Sequence, residues 1–515
     1  VNGQIAAAFA LLPDYLGWHV LLSASALAIG IAISLPLAVL AARSPAVRWP
    51  VLALAGLVQT IPSLALLALF YPLLLALSTL AKATIGHGFS ALGFLPSLLA
   101  LTIYSMLPIL RNGAAAILGV DPAVREAADG MGLTSHQKLW QVELPLAAPV
   151  IMAGVRTAAV WTIGAATLST PVGQTSLGNY IFAGLQTENW IFVLFGCAAA
   201  AALAMVADQL LGLVEAGMQR GRRVLAGIGL GGLAAGVVVA IAPLISFGGQ
   251  ATYVVGAKNF SEQYILAELM ADRLTATGAT VTRKEDLGSA VAYRALASGE
   301  IDAYVDYSGT LWANVLGRKD NPGRQQVLEG LTAELAQRDG VLVLGSLGFE
   351  NAYALVMRGD RAQSLGITSI ADLARRAPQL TFGADLEFLS RPEWKGIQSA
   401  YGLNFKTERS FQPTFMYRAL GGGDADVISA FSSDGRIAAD RLVVLSDPKQ
   451  AIPPYDAVIL ISPKRAKDAK LIAALRPLIG KVPVSAMQAA NFSVDRDADK
   501  RSPLEAARAL EATLR

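Results

Sequence analysis

Six long apolar runs, at residues 18–42, 49–80, 95–110, 149–168, 190–214 and 224–247, constrain this chain more than any other feature. A helix needs about 20 apolar residues to cross a bilayer core. In hydrocarbon every backbone polar group must also be bonded within its own segment. The runs therefore predict six membrane-spanning helices. The second run holds Pro62 and Pro72 and is expected to be kinked or split. The third is short, with a start expected to reach back to Phe89. The first, about 25 residues long, suits a span better than the apolar stretch of a cleavable signal.

Lys and Arg in the connections predict the orientation, because positive charge stays on the cytoplasmic side. Arg43 and Arg48 follow the first run, Arg111, Arg125 and Lys138 the third, and Arg220, Arg222 and Arg223 the fifth. The alternate connections hold only Lys82. The N-terminus and everything after the sixth run are thus expected outside. Arg156 and Asp208 are ionisable groups within runs, both near cytoplasmic ends, where snorkelling or helix pairing is expected. Cys197, the only cysteine, permits no intrachain disulfide and is expected to be a buried small residue.

The chain is 515 residues long, which predicts more than one domain. Its formal charge of +3 gives no reason to invoke nucleic acid. Composition changes near 246–250, from mostly apolar to the mixed charge of a globular domain. The expected division is a membrane domain at 1–217, a sixth span and linker at 218–250, and an extramembrane globular domain at 251–515. A Gly-rich stretch, Gly227 to Gly236, is suited to close helix packing.

The connection after the third run reads Glu126-Ala127-Ala128, three residues, Gly132, nine residues, Val142, one residue, Leu144-Pro145. Asp121-Pro122 is an N-cap followed by Pro in the first turn, and Gly130 and Gly132 are placed to end or bend the helix. The pattern resembles the EAA loop of type I ABC importer permeases, with Val in place of Ile. That resemblance implies a short coupling helix that docks into a groove of a cytoplasmic ATPase. Gln59 to Leu66, Leu107 to Asn112, Gly154 to Ala158 and Ile163 to Leu168 further resemble permeases of osmoprotectant importers. No G-x-x-x-x-G-K-[ST] occurs, so the chain itself is expected to bind no ATP or Mg, and a separate ATPase must supply the energy.

After residue 250 short β-rich runs alternate with helical ones, which predicts α/β sheets. Strands are expected at 253–256, 302–304, 342–344, 354–357, 380–382, 426–428, 441–445 and 458–461. An amphipathic helix with a Ser cap is expected at 261–275. Six segments resemble motifs of osmoprotectant-binding proteins, in family order. They are Gly256 to Gln263, Asp306-Tyr307-Ser308-Gly309-Thr310, Gly348 to Leu355, Phe388-Leu389-Ser390-Arg391, Phe431 to Ile437, and Pro453-Pro454-Tyr455. The resemblance implies a type II two-lobed binding domain behind an all-α, MetI-like permease. Lobe 1 would hold about 251–348 and 457–515, and lobe 2 about 349–456.

A quaternary ammonium has charge but no N–H donor, so it must be held by the negative faces of aromatic rings. The family's aromatic cage falls, by motif, on Tyr307, Tyr353, Phe431 and Tyr455. A ligand carboxylate would be held by Lys258, Thr310 and Arg391. Three departures stand out. Phe431 replaces Tyr, Glu350-Asn351-Ala352 adds a carboxylate close to the expected pocket, and Pro392-Glu393-Trp394 follows Arg391. Glycine betaine, choline, carnitine, proline betaine and ergothioneine all remain open.

These readings point to a multi-pass plasma-membrane importer subunit for quaternary ammonium compounds, not itself an enzyme. It is expected to act as two copies with two ATPase subunits, its binding domain outside the cell. Two alternatives stay open: an importer for an amino acid such as methionine, for which Glu350 and Asp306 are candidate acidic partners, and a ligand-gated sensor or channel. The EAA loop argues against the second.

Overall fold

The computed structural model describes residues 2–86, 88–187, 189–246, 252–318, 320–496 and 499–514. The chain divides into two compact units, a helical one built mainly from residues up to Ser246 and an α/β one built mainly from residues after 252. Apart from Ser246, the expected boundary at 246–250 lies outside the described residues.

The helical unit comprises α1 (Asn2–Arg43), α2 (Pro45–Thr60), α3 (Ser63–Ile85), α4 (Phe94–Leu118), α5 (Pro122–Gly130), α6 (Ser135–Lys138), α7 (Leu144–Ala166), α8 (Gly178–Gln186), α9 (Trp190–Gln219) and α10 (Arg223–Ser246). Among the described residues six helical stretches are long and apolar enough to cross a membrane: Gln4–Arg43, Ala65–Ile85, Phe94–Leu118, Ser135–Val172, Trp190–Gln219 and Arg223–Leu244. The second run is split. Ile61 is extended and Pro62 precedes α3, because proline drives its predecessor out of the helical region. Pro72 stays inside α3. The third span does not reach back to Phe89. It starts after Gly93, whose φ of +76° breaks the chain direction, and runs on to Leu118.

Small residues set the helix spacing. A Cβ on Gly113 would meet Ala38 at 2.9 Å, and one on Gly154 would meet the Pro108 carbonyl at 2.8 Å. In the Gly-rich stretch, Gly229 and Gly232 pack on Leu210 of α9, whereas Gly227, Gly231 and Gly236 face open space. Arg156 of α7 pairs with α9. It meets Asp208 in a fork at 3.0 and 2.8 Å, and Glu215, one heptad on, at 2.7 Å. Helix pairing therefore describes Arg156 and Asp208. His19 is a further polar group inside the bundle. Its Nε2 lies 3.0 Å from the Ile163 carbonyl and its Nδ1 accepts from the Leu177 N–H at 3.3 Å. Those two bonds define the neutral ring protonated at Nε2. Cys197 corrects its expectation: it is exposed, on the outward side of α9.

The α/β unit holds two five-stranded sheets. The first contains β1 (Tyr253–Lys258), β2 (Val281–Leu287), β3 (Ala303–Tyr307), β4 (Leu342–Glu350) and β10 (Asp456–Ile461), in the order β2-β1-β3-β10-β4. The second contains β5 (Tyr353–Arg358), β6 (Thr381–Ala384), β7 (Thr407–Ser410), β8 (Val427–Phe431) and β9 (Leu442–Val444), in the order β7-β6-β8-β5-β9. The chain crosses between sheets at Asn351-Ala352 and again over 445–455. Strands β2 and β7 are not among those expected from sequence. Both are edge strands with charged sequences, Val-Thr-Arg-Lys-Glu-Asp-Leu and Thr-Glu-Arg-Ser. Edge strands carry charge to deter further pairing, and that charge hides the apolar alternation.

Helix α11 (Ser261–Thr275) has the expected bounds, but Ser261 is not its cap. Phe260 is the N-cap residue, and the Ser261 hydroxyl donates to Asp495 instead. Nor is α11 amphipathic in the usual sense: its first eleven residues are all buried. It packs between the first sheet and the C-terminal helices Val484–Asp495 and Pro503–Thr513.

Candidate functional sites

Strand ends from both sheets bring the four expected aromatic residues together. Tyr353 opens β5 and is the direct cross-strand partner of Phe431, which closes β8. Their ring centroids are 5.0 Å apart. Tyr307 closes β3 and lies opposite Ala457 of β10, so Tyr455 falls just before the paired stretch. The Tyr455 ring stands perpendicular to that of Tyr353 at 5.3 Å, at an interplanar angle of 88°. Phe260, which no sequence signal singles out, links the rest. It stacks at 6.1 Å on both Tyr307 and Phe431. Gly309 is required here, because a Cβ at that position would sit 2.7 Å from the Tyr455 ring.

The polar groups around the rings are engaged. Glu262 is buried and collects the Tyr307 hydroxyl at 2.5 Å, Asn351 Nδ2 at 3.0 Å and Asn491 Nδ2 at 2.8 Å. Burial pushes its carboxyl above the ordinary range, and these hydrogen bonds partly offset the shift. Asn491 Nδ2 also donates to the Ser433 carbonyl at 3.0 Å, so one amide spans both sheets' loops. The Tyr455 hydroxyl donates to Glu393. Burial, followed by the neighbouring Glu262 and Glu393 respectively, holds the Tyr307 and Tyr455 phenols well above their ordinary range. Glu262, Glu393 and Asn491 carry no strong sequence signal. Glu262 lies in a segment quoted for other residues, Glu393 stood out only as part of the departure after Arg391, and Asn491 arrives from a helix more than 200 residues away.

Three expectations change. Lys258 is buried and ion-paired with Asp306, which also accepts the Tyr304 hydroxyl at 2.5 Å. Its Nζ faces the Tyr307 ring at 5.2 Å, so an internal carboxylate already answers its charge. Glu350 does not place a carboxylate at the rings. It pairs with Arg324 at 2.6 Å and is over a third exposed. Asp306, committed to Lys258, is likewise taken as a partner for a primary ammonium. Arg391 is buried beside the cluster, 5.4 Å over the Tyr353 ring and 3.6 Å from Glu393. Thr310 is buried in the turn after β3.

On the helical unit, Asp121 caps α5 by accepting from the Ala123 N–H at 2.9 Å, with Pro122 at the first position. Glu126 and Ala127 are exposed and Ala128 is buried. Met131 ends the helix, and Gly132 takes φ +75°. Val124, Met131 and Trp140 leave exposed apolar surface around it. Among the described residues no cluster of metal-ligating side chains occurs.

A membrane-long helical bundle followed by a two-sheet domain with ligand-sized aromatic and polar groups at its strand ends defines a membrane importer fused to its solute-binding domain. Residues 251–510 match the substrate-binding domain of ABC-type glycine betaine transport systems, and the chain belongs to that family. Residues 34–220 match the inner-membrane component of binding-protein-dependent transport systems. The chain is thus the permease and substrate-binding domain of an ABC importer in one polypeptide. It is 29% identical over 458 residues to the ergothioneine transport permease/ergothioneine binding protein of Helicobacter pylori strain G27, covering 85% of this chain and 78% of that one. It is 38% identical over 207 residues to a choline transport system permease protein of Bacillus subtilis strain 168, covering 39% of this chain and 88% of that one. A crystal structure of a glycine betaine/carnitine/choline ABC transporter covers 51% of this chain and 100% of its own, at 27% identity and a TM-score of 0.45. The sensor or channel reading gives way to an importer.

Proposed function

We propose that the α/β unit captures a betaine, a zwitterion with a quaternary ammonium and a carboxylate. The observation that carries this is the convergence of Tyr307, Tyr353, Phe431 and Tyr455, from four separate segments, into one ring cluster with Phe260. Each ring facing the cation contributes about 0.5–2 kcal/mol. Arg391 meets the carboxylate, with Thr310 as a neutral donor. Lys258, answered by Asp306, acts by holding the Tyr307 turn in place. The amino-acid alternative loses both carboxylates it rested on, since Glu350 and Asp306 have other partners.

Among betaines, one bearing an N–H donor fits best. The amide oxygens of Asn351 and Asn491 are buried and accept no hydrogen bond among the described residues, while their nitrogens are held by Glu262. A buried acceptor left without a donor costs about 1–3 kcal/mol. Glycine betaine carries no donor and choline and carnitine a single hydroxyl, whereas the imidazole ring of ergothioneine offers N–H donors for these two amide oxygens. Titration calorimetry of the full chain in detergent, against glycine betaine, choline, carnitine, ergothioneine and methionine, tests this reading. Ergothioneine should bind most tightly. Methionine as the tightest ligand would sink the cage, and equal affinity for glycine betaine and ergothioneine would sink the role of the two amides.

Transport follows from α5. Its exposed Glu126 and Ala127, and the apolar Val124 and Met131 beside them, dock on a cytoplasmic ATPase that supplies ATP and Mg chemistry. Two copies of the chain form the pathway, with the binding domain outside the plasma membrane.

A further inference from the structure

This inference rests on the coupling role of α5. Glu143 closes the π-helical turn Leu139–Glu143 and leads directly into α7, at the unassigned position before Leu144-Pro145. Its side chain is only 2% exposed, yet it is a carboxylate. Oε2 accepts from Arg43 at 2.5 Å, and Oε1 lies 3.3 Å from Arg125 Nε. Arg43 is the last residue of α1. Arg125 lies in the middle of α5, and its Nη2 also donates to the carbonyl of Ile117, in the last turn of α4. One buried acid therefore links the end of α1 and the middle of α5 to the start of α7, and Arg125 carries the link on to the end of α4.

The other ties of α5 are slight. Ala128 is its buried residue. Asp129 meets Lys138 at 2.6 Å, but Asp129 is more than half exposed, and an exposed pair holds little. The Glu143 pairs resist separation more strongly, since the carboxylate is buried and stays desolvated if left alone, although Arg43 and Arg125 are themselves 40% and 30% exposed. A π-turn inside a helix is itself a feature concentrated at functional positions.

We propose that Glu143 is the positioning residue that passes movement of α5 to the membrane helices. Arg125 is the arm on the coupling helix. Arg43 is a second arm that draws α1 along with α7. A displacement of α5 by the ATPase then moves α7 through the Arg125–Glu143 ion pair, whose carboxylate is buried, as well as through the backbone connection after Gly132.

The test uses the full chain with its ATPase subunit in proteoliposomes, and reads solute imported per ATP hydrolysed, so that changes in hydrolysis cancel. R125Q and E143Q should lower that ratio about tenfold or more. E143D, which keeps the charge, should recover part of it. R43Q leaves the Arg125–Glu143 pair intact and should lower it less. Equal losses in R43Q and R125Q would mark ordinary packing and overturn the proposal, as would an unchanged ratio in R125Q. If E143Q does not assemble, the R125Q and R43Q pair decides. E126K runs alongside. Undiminished uptake in E126K means α5 does not couple at all; uptake lost in E126K with a normal ratio in R125Q means that only the Glu143 inference fails.

Discussion

Arg391 separates the two ends of the proposed ligand. Replacing it with Ala should weaken a betaine strongly and choline little, because choline has no carboxylate. Dissociation constants for both ligands check this, and equal losses would remove Arg391 from the site. The rings separate differently. Tyr353→Ala removes a cage wall and should cost on the order of 1–2 kcal/mol in affinity, about tenfold. Tyr455→Phe keeps the ring but leaves the buried Glu393 without its phenol donor. Its effect should therefore fall on thermal stability more than on affinity, and a melting curve beside a binding isotherm shows which. Asp286 offers a pH test away from the site. It is buried, takes φ +63°, accepts from the Tyr264 hydroxyl, and burial pushes its carboxyl up to about 7 from 3.8. Between those two values the folded protein keeps a proton that the unfolded chain releases, so this group's contribution to stability falls as pH rises through the window and levels off above it. Asn tolerates the same backbone and can still accept from Tyr264. Asp286→Asn should thus raise the melting temperature of the α/β unit at pH 8, by about 2–4 °C per kcal/mol relieved, and the gain should shrink towards pH 4. A gain independent of pH would refute the assignment.

Elements carry the coupling and the framework of the site. Gly132 sits at φ +75°, and a Cβ added there would have no atom within 4 Å, so a side chain would strain the backbone without crowding any neighbour. Gly132→Val should therefore disturb the exit from α5 and depress uptake by the reconstituted importer, while the chain's ligand affinity stays unchanged. Loss of affinity in step with uptake would place the defect elsewhere. The α5 signature is legible in the sequence because cap, helix and terminating glycine are all local chemistry. The central strands are legible for the same reason, through apolar β-branched runs such as Val458-Ile459-Leu460-Ile461. The edge strands β2 and β7 are not, since their charged residues obey a constraint against pairing that periodicity cannot distinguish from loop. Ser261 looks like a cap in the sequence because its true partner, Asp495, is 234 residues away.

At the scale of the whole molecule, the alternation of positive connections predicts that a reporter fused after Arg515 is active outside the cytoplasm. Reporter activity in the cytoplasm would reverse the topology. By itself the sequence determined that six stretches are long and apolar enough to cross a bilayer, that a loop with the EAA pattern separates two of them, and that an α/β domain carries Tyr307, Tyr353, Phe431 and Tyr455 in separate motifs. Those are consequences of residue type and short-range spacing. What each charge is paired with was decided only by tertiary structure. Lys258 went to Asp306 and Glu350 to Arg324, while Glu262 gathered Tyr307, Asn351 and Asn491. Glu143 joined Arg43 and Arg125. A buried charge must find a partner wherever the fold brings one, and the distance along the chain has no bearing on that choice.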